Sequence, residues 1–197
     1  MINSSEVLAK LEGWRFPASA VMRATGLNPA SLSNTLSKTP LILCSESAGQ
    51  GRARQYCLVD AYQLALMNRL SHLTGRVAWS ANVLNRFLFS EIYAEGPRDE
   101  SRVEEWDKTK ALKVRFCADI GSLPAAYRHR GEQPWFFFAS VRNVISDFAH
   151  LGCAQWGSDD DRLVMAVLNG GVFVNITYLL ESVDADLANF MGLAGDA

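Results

Sequence analysis

The sequence predicts a mainly α N-terminal domain followed by a smaller α+β C-terminal domain. Three observations predict it. Residues 16–75 space their apolar side chains at helical intervals between glycine stops. Residues 112–190 mix strand-like apolar runs with helix starts. Between the two parts, Gly96-Pro97 opens the charged stretch RDESRVEEWDKTK. The expected boundaries are therefore a head over 1–95, a linker over 96–110 and a C-terminal domain over 111–197.

Composition agrees with a soluble globular chain. Of 197 residues, 49% are hydrophobic and 20% charged, and the mean hydropathy is +0.01. No apolar run reaches the ~20 residues of a membrane span. The start, MINSSEVLAKLEGW, lacks the basic and apolar regions of a secretory signal. A cytoplasmic location is the expectation. Net charge is uneven: +4 over residues 1–76 and −6 over residues 77–197. A polyanion would meet the first part.

In chain order, Ser4-Ser5-Glu6 starts a short helix that Gly13 ends. Phe16-Pro17-Ala18 starts the next, with proline in the first turn, where its missing N–H is not needed. Ala20, Val21 and Ala24 line one face, and Gly26 stops the helix in a conformation open to positive φ. Asn28 caps a further helix with Pro29 at its first position. Leu32 and Leu36 are expected to face the core, which leaves Ser31, Ser33, Asn34 and Thr35 on other faces.

Leu41 to Cys44 reads as a short strand, Ser45 to Ala53 as a glycine-bearing tip and Arg54 to Leu58 as the returning strand. Asp60 is expected to cap a strong helix that Gly75 stops. Two short helices, a tight turn and a hairpin with Arg52 and Arg54 near its tip are the parts of a winged helix-turn-helix. A helix face of small hydrogen-bonding residues without acids can enter the major groove without repelling phosphate. Arginines in the wing can hold the backbone or a narrow minor groove.

Residues 16–75 resemble the winged helix-turn-helix of the MerR family, including phage and prophage regulators. The matching residues are Val21, Ala24, Gly26-Leu27, Leu32, Leu36, Arg54-x-Tyr56, Asp60 and Leu64. The resemblance implies a dimeric, sequence-specific double-stranded DNA-binding protein that regulates transcription. The contacts expected are Asn28, Ser31, Ser33, Asn34, Lys38, Arg52, Arg54, Gln55 and Tyr56. Ser33 stands where many such domains carry arginine, which shifts the expected phosphate affinity to the wing and Lys38. Architectural or packaging DNA proteins, excisionase-like or terminase-small-subunit-like, are an alternative, as is a protein-binding adaptor.

Residues 77–95 read as an amphipathic helix with Val77, Val83 or Leu84, Phe87, Leu88 and Ile92 facing inward. Residues 112–117 alternate as a half-buried strand, and 135–139 (WFFFA) form a continuous apolar one. Val144 to Phe148 reads as a returning strand, with a helix as rival. The WFFF cluster serves the core or lines a ligand pocket. Ser158 with Asp159, Asp160 and Asp161 starts a helix. Consecutive positions on a helix diverge by about 100°, so the three carboxylates do not converge on one ion. Asn169-Gly170-Gly171 is a turn, 172–174 a strand, and Asn175 leads into a helix over 176–190. Leu179, Leu180, Val183, Leu187 and Phe190 form its stripe, which serves either the core or a dimer seam.

The four cysteines and three histidines lie without metal-ligand spacing, and no nucleophile–base pair can be assembled. Neither a metal, a cofactor nor an enzymatic activity is expected.

Overall fold

A computed structural model describes residues 4–39, 41, 43, 45, 52–94, 135–139, 151–155, 167 and 170–193. The architecture is mainly helical, with a two-stranded and a three-stranded sheet. In order it runs α1 (Ser4–Gly13), β1 (Phe16–Pro17), α2 (Ala18–Thr25), α3 (Pro29–Lys38), β2 (Gln55–Tyr56), α4 (Leu58–Thr74) and α5 (Val77–Ala94). Strands β3 (Trp135–Ala139), β4 (Leu151–Gln155) and β5 (Val172–Asn175) follow, and then α6 (Ile176–Phe190). The expected linker over 96–110, the strands over 112–117 and 144–148 and the Asp159–Asp161 helix start lie outside the described residues.

Phe16, expected to open a helix, is instead a strand residue paired with Tyr56, while Pro17 pairs with Gln55. Pro17 takes the extended N-cap position at φ −69° and ψ 161°, so α2 begins one residue later, at Ala18. Gly26 ends α2 in the left-handed region at φ 69°, where any residue with a Cβ is strained. A methyl group added there would lie 3.7 Å from Asn68 Nδ2, an ordinary contact. The cost of Gly26→Ala is therefore conformational, about 1 kcal/mol. Thermal unfolding should register a Tm lower by about 3 °C, and no change would show that the turn adapts.

Helix α4 is buried almost all round from Leu58 to Met67 rather than along one stripe. The other elements account for this. Helices α2, α5 and α6 and strand β5 all pack against it. Asp60, expected as the N-cap, occupies the third helical position instead, and Cys57 is the N-cap. In α5, Val83 and Leu84 are both buried, whereas Val77 is exposed at the turn.

Strand β3 is central to its sheet, antiparallel to both β4 and β5. Phe137 and Phe138 point to opposite faces, and both are fully buried, as a continuous apolar strand requires. Phe137 is opposite Val174 in the ladder, and the two join the helices' core cluster.

Helix α6 starts where Asn175 caps it, with Oδ1 accepting the Tyr178 N–H at 3.0 Å. It packs on α1, α2 and α4. Leu180, Val183 and Leu187 are 2%, 0% and 0% exposed, in one cluster with Val21, Leu64 and Met67. Their burial inside a single chain favours the core reading of the stripe. Leu179 is half-buried at its edge and Phe190 is exposed. Each of the three buried side chains contributes about 1.5–3 kcal/mol by leaving water. Tyr62 on α4 also donates a short hydrogen bond to the Asp184 carboxylate on α6.

Candidate nucleic-acid interface

Helices α2 and α3 are joined by a turn over residues 26–28. Asn28 caps α3 as expected, its Oδ1 accepting the Ser31 N–H at 2.8 Å, and Pro29 fills the first position. The other end of the turn is held from α4, where Asn68 Nδ2 donates to the Thr25 carbonyl at 3.0 Å.

The inward face of α3 differs from expectation. Leu32 and Thr35 are the buried residues, and Leu36 is 36% exposed. Thr35 is three positions after Leu32, so both lie on the side that meets the core, and Leu36 is turned toward its rim. The outer face consists of Ala30, Ser33, Asn34 and Ser37, all exposed. Ser31 is half-buried, and Lys38 is exposed at the C-terminal end. Ser37 Oγ donates to the Ser33 carbonyl at 2.8 Å. From Gly13 through Ser45 the chain carries Arg15, Arg23 and Lys38 and no acidic residue. That bias suits an anionic surface.

The segment expected as the first wing strand contains Leu41 and Leu43, which are not in a strand. Strand β2 pairs with β1 instead. Of the expected tip over 45–53, residues 46–51 lie outside the described residues. The base of this loop is well defined by a set of contacts around Asp60. Asp60 is fully buried. Its carboxylate accepts the Cys57 N–H at 3.0 Å and the Ser45 N–H at 3.2 and 3.3 Å. Cys57 and Asp60 form a capping box, with the thiol in the place that serine or threonine usually takes. One carboxylate thus serves the start of α4 and a backbone amide fifteen residues earlier.

Arg54 closes the other side. Its Nη2 donates to the Ser45 carbonyl at 2.7 Å, with Nε 3.4 Å from Ser45 Oγ. Its guanidinium lies over the Tyr56 ring, 5.5 Å from the centroid, a cation–π arrangement. Tyr56 is 1% exposed. Burial pushes its phenol above the ordinary value, the Arg54 charge pulls it back, and the Asp60 carboxylate raises it further. Residues 45 and 54 are therefore tied together at the base of the loop. Arg54 and Tyr56, expected as DNA contacts, are engaged within the fold and serve as supports. Arg52 and Gln55 are exposed.

The expected contact set thus divides. Ser33, Asn34, Lys38, Arg52 and Gln55 are exposed, Ser31 is half-buried, and Asn28 is exposed but occupied as a cap. The structure puts Ser33 and Asn34 on one helix face and leaves Arg52 exposed, two positions before Arg54 in the chain. The part played by Ser45, Asp60 and Asn68 was missed from sequence. The Cys57-x-x-Asp60 spacing was a visible capping-box signal; the reach to Ser45 had none.

Among the described residues, no three His, Cys, Asp or Glu side chains gather as a metal would need. No helix there is long and apolar enough to cross a membrane. Known family profiles give no match to this chain, and curated proteins give none either.

Proposed function

We propose that this chain is a sequence-specific double-stranded DNA-binding protein of winged helix-turn-helix type that acts as a dimer in transcription regulation. One observation carries the reading. A capped helix, α3, exposes an uncharged polar face immediately after a glycine turn, within a stretch of chain that has three basic residues and no acidic one. Two short helices joined by a three- to four-residue glycine turn are the reading unit of helix-turn-helix proteins. In this reading α3 enters the major groove, and Arg52 and Lys38 bind backbone phosphates. The MerR-like spacing noted above supports a dimer that reads two half-sites.

The test is fluorescence anisotropy of the full-length chain on labelled duplex, with salt as the variable. Affinity should fall steeply as salt rises, because each neutralised phosphate releases a counterion. An Arg52→Ala/Lys38→Ala variant should bind all duplexes more weakly and lower the slope of log affinity against log salt by about two. Its stability should stay within about 0.5 kcal/mol of the parent, since both side chains are exposed. An unchanged slope would remove these two residues from the interface. No retention of duplex at low salt would refute the function.

A further inference from the structure

We infer that Asn34 reads adenine in the major groove and makes an A·T pair the position of strongest discrimination in each half-site. This rests on the duplex-binding reading above and adds to it the base that is recognised.

The outer face of α3 is formed by residues 30, 33, 34 and 37, spaced as neighbours on one side of a helix. These four positions hold no charged side chain, and Lys38, one turn beyond Asn34, is exposed at the C-terminal edge, where the reading above puts it on backbone phosphate. The commonest specific contact, arginine or lysine to guanine, is therefore not open to these four positions. The remaining groups narrow the choice further. Ala30 has no polar side-chain atom, and the Ser33 hydroxyl, able both to donate and to accept, suits more than one base and selects none. The Ser37 hydroxyl already donates to the Ser33 carbonyl at 2.8 Å. Off this face, the Asn28 amide oxygen is occupied by the Ser31 N–H.

The Asn34 amide is exposed and makes no hydrogen bond among the described residues. It presents a donor and an acceptor side by side. The adenine edge offers the complement, N7 as acceptor and the N6 amino group as donor. Guanine offers two acceptors there, which would set the amide oxygen against one of them. Cytosine offers a donor alone, and thymine an acceptor beside a methyl. Only adenine satisfies both atoms of Asn34. Ala30, one turn earlier on the same face, has a methyl suited to the thymine C5-methyl.

The experiment selects duplexes from a random-sequence library with the full-length protein. The winning duplex is then measured by anisotropy with each A·T pair replaced in turn by G·C or by a 7-deazaadenine pair. With the parent protein, one A·T position per half-site should lose on the order of 10–100-fold in affinity on either replacement. With Asn34→Ala, that same position should become indifferent to either replacement. Asn34 is exposed and alanine is the better helix former, so circular dichroism of the variant should match the parent.

An Asn34→Ala protein that keeps the full penalty at every A·T position overturns the inference, as does a selected site whose strongest position is G·C. A parent that binds random duplex tightly but enriches no sequence overturns base reading and leaves duplex binding standing. A parent that binds no duplex at low salt removes the proposed function itself.

Discussion

An Asp60→Ala variant is expected to lose about 2–4 kcal/mol of folding stability, because two backbone amides at once are left without their acceptor. The carboxylate is fully buried. It takes the N–H of Cys57, which starts α4, and the N–H of Ser45, at the base of the loop. Loss of a helix cap alone typically costs ~1 kcal/mol. The excess over that figure measures the tie to Ser45. Urea unfolding followed by circular dichroism checks it, with the slope of free energy on urea unchanged if only stability has moved. A loss below about 1 kcal/mol would show that the Ser45 contact contributes nothing beyond the cap. The same variant should bind duplex more weakly than Arg52→Ala does, since freeing Ser45 loosens the frame that carries Arg52.

Leu187→Ala should cost about 2–5 kcal/mol, the range for emptying a fully buried leucine site. Leu187 is 0% exposed on α6, a helix that packs on α1, α2 and α4. The consequence extends beyond the size of the effect. If α6 completes the core of the N-terminal helices, the variant should still unfold in one transition, at lower urea, by both tryptophan fluorescence and far-ultraviolet dichroism. Two separated transitions, with the helical signal of the first part unmoved, would show that α6 is dispensable to that core.

Elements bounded by local chemistry were legible in the sequence. Asn28-Pro29 and Asn175 mark helix starts, and Gly26 and Gly75 mark stops, because capping acts between residues three or four apart. The start of α6 at Ile176 followed from Asn175, and its end at Phe190 from the last member of the apolar stripe. Strand β3 was visible as an unbroken apolar run.

What escaped depends on partners distant in the chain. A two-residue strand at Phe16–Pro17 carries no periodicity, and its existence depends on Tyr56 lying opposite. Residues 151–155 (LGCAQ) have no clear alternation, so their place beside β3 was invisible. The exchange of Leu36 for Thr35 on the buried side of α3 has a similar origin. Hydrophobicity ranks leucine inward, but the position of the neighbouring helices decides which i, i+3 pair meets them. For the candidate interface, exposure of Ser33, Asn34, Lys38 and Arg52 was anticipated. The internal engagement of Arg54 and Tyr56 was not, because an arginine near a glycine-bearing loop looks the same in sequence whether it turns outward or back.

The seating of α6 also has a consequence for biosynthesis. Tyr62 and Asp184, which join α4 to α6, stand 122 positions apart. While the chain is being made, the apolar sides of Val21, Leu64 and Met67 have no final covering until residues 176–190 have left the ribosome. Domains emerging at the N-terminus often finish folding during translation; this one has to wait until α6 has emerged. A nascent chain halted before α6 should therefore be captured by chaperones and cut readily by protease, and one halted well beyond it should resist both.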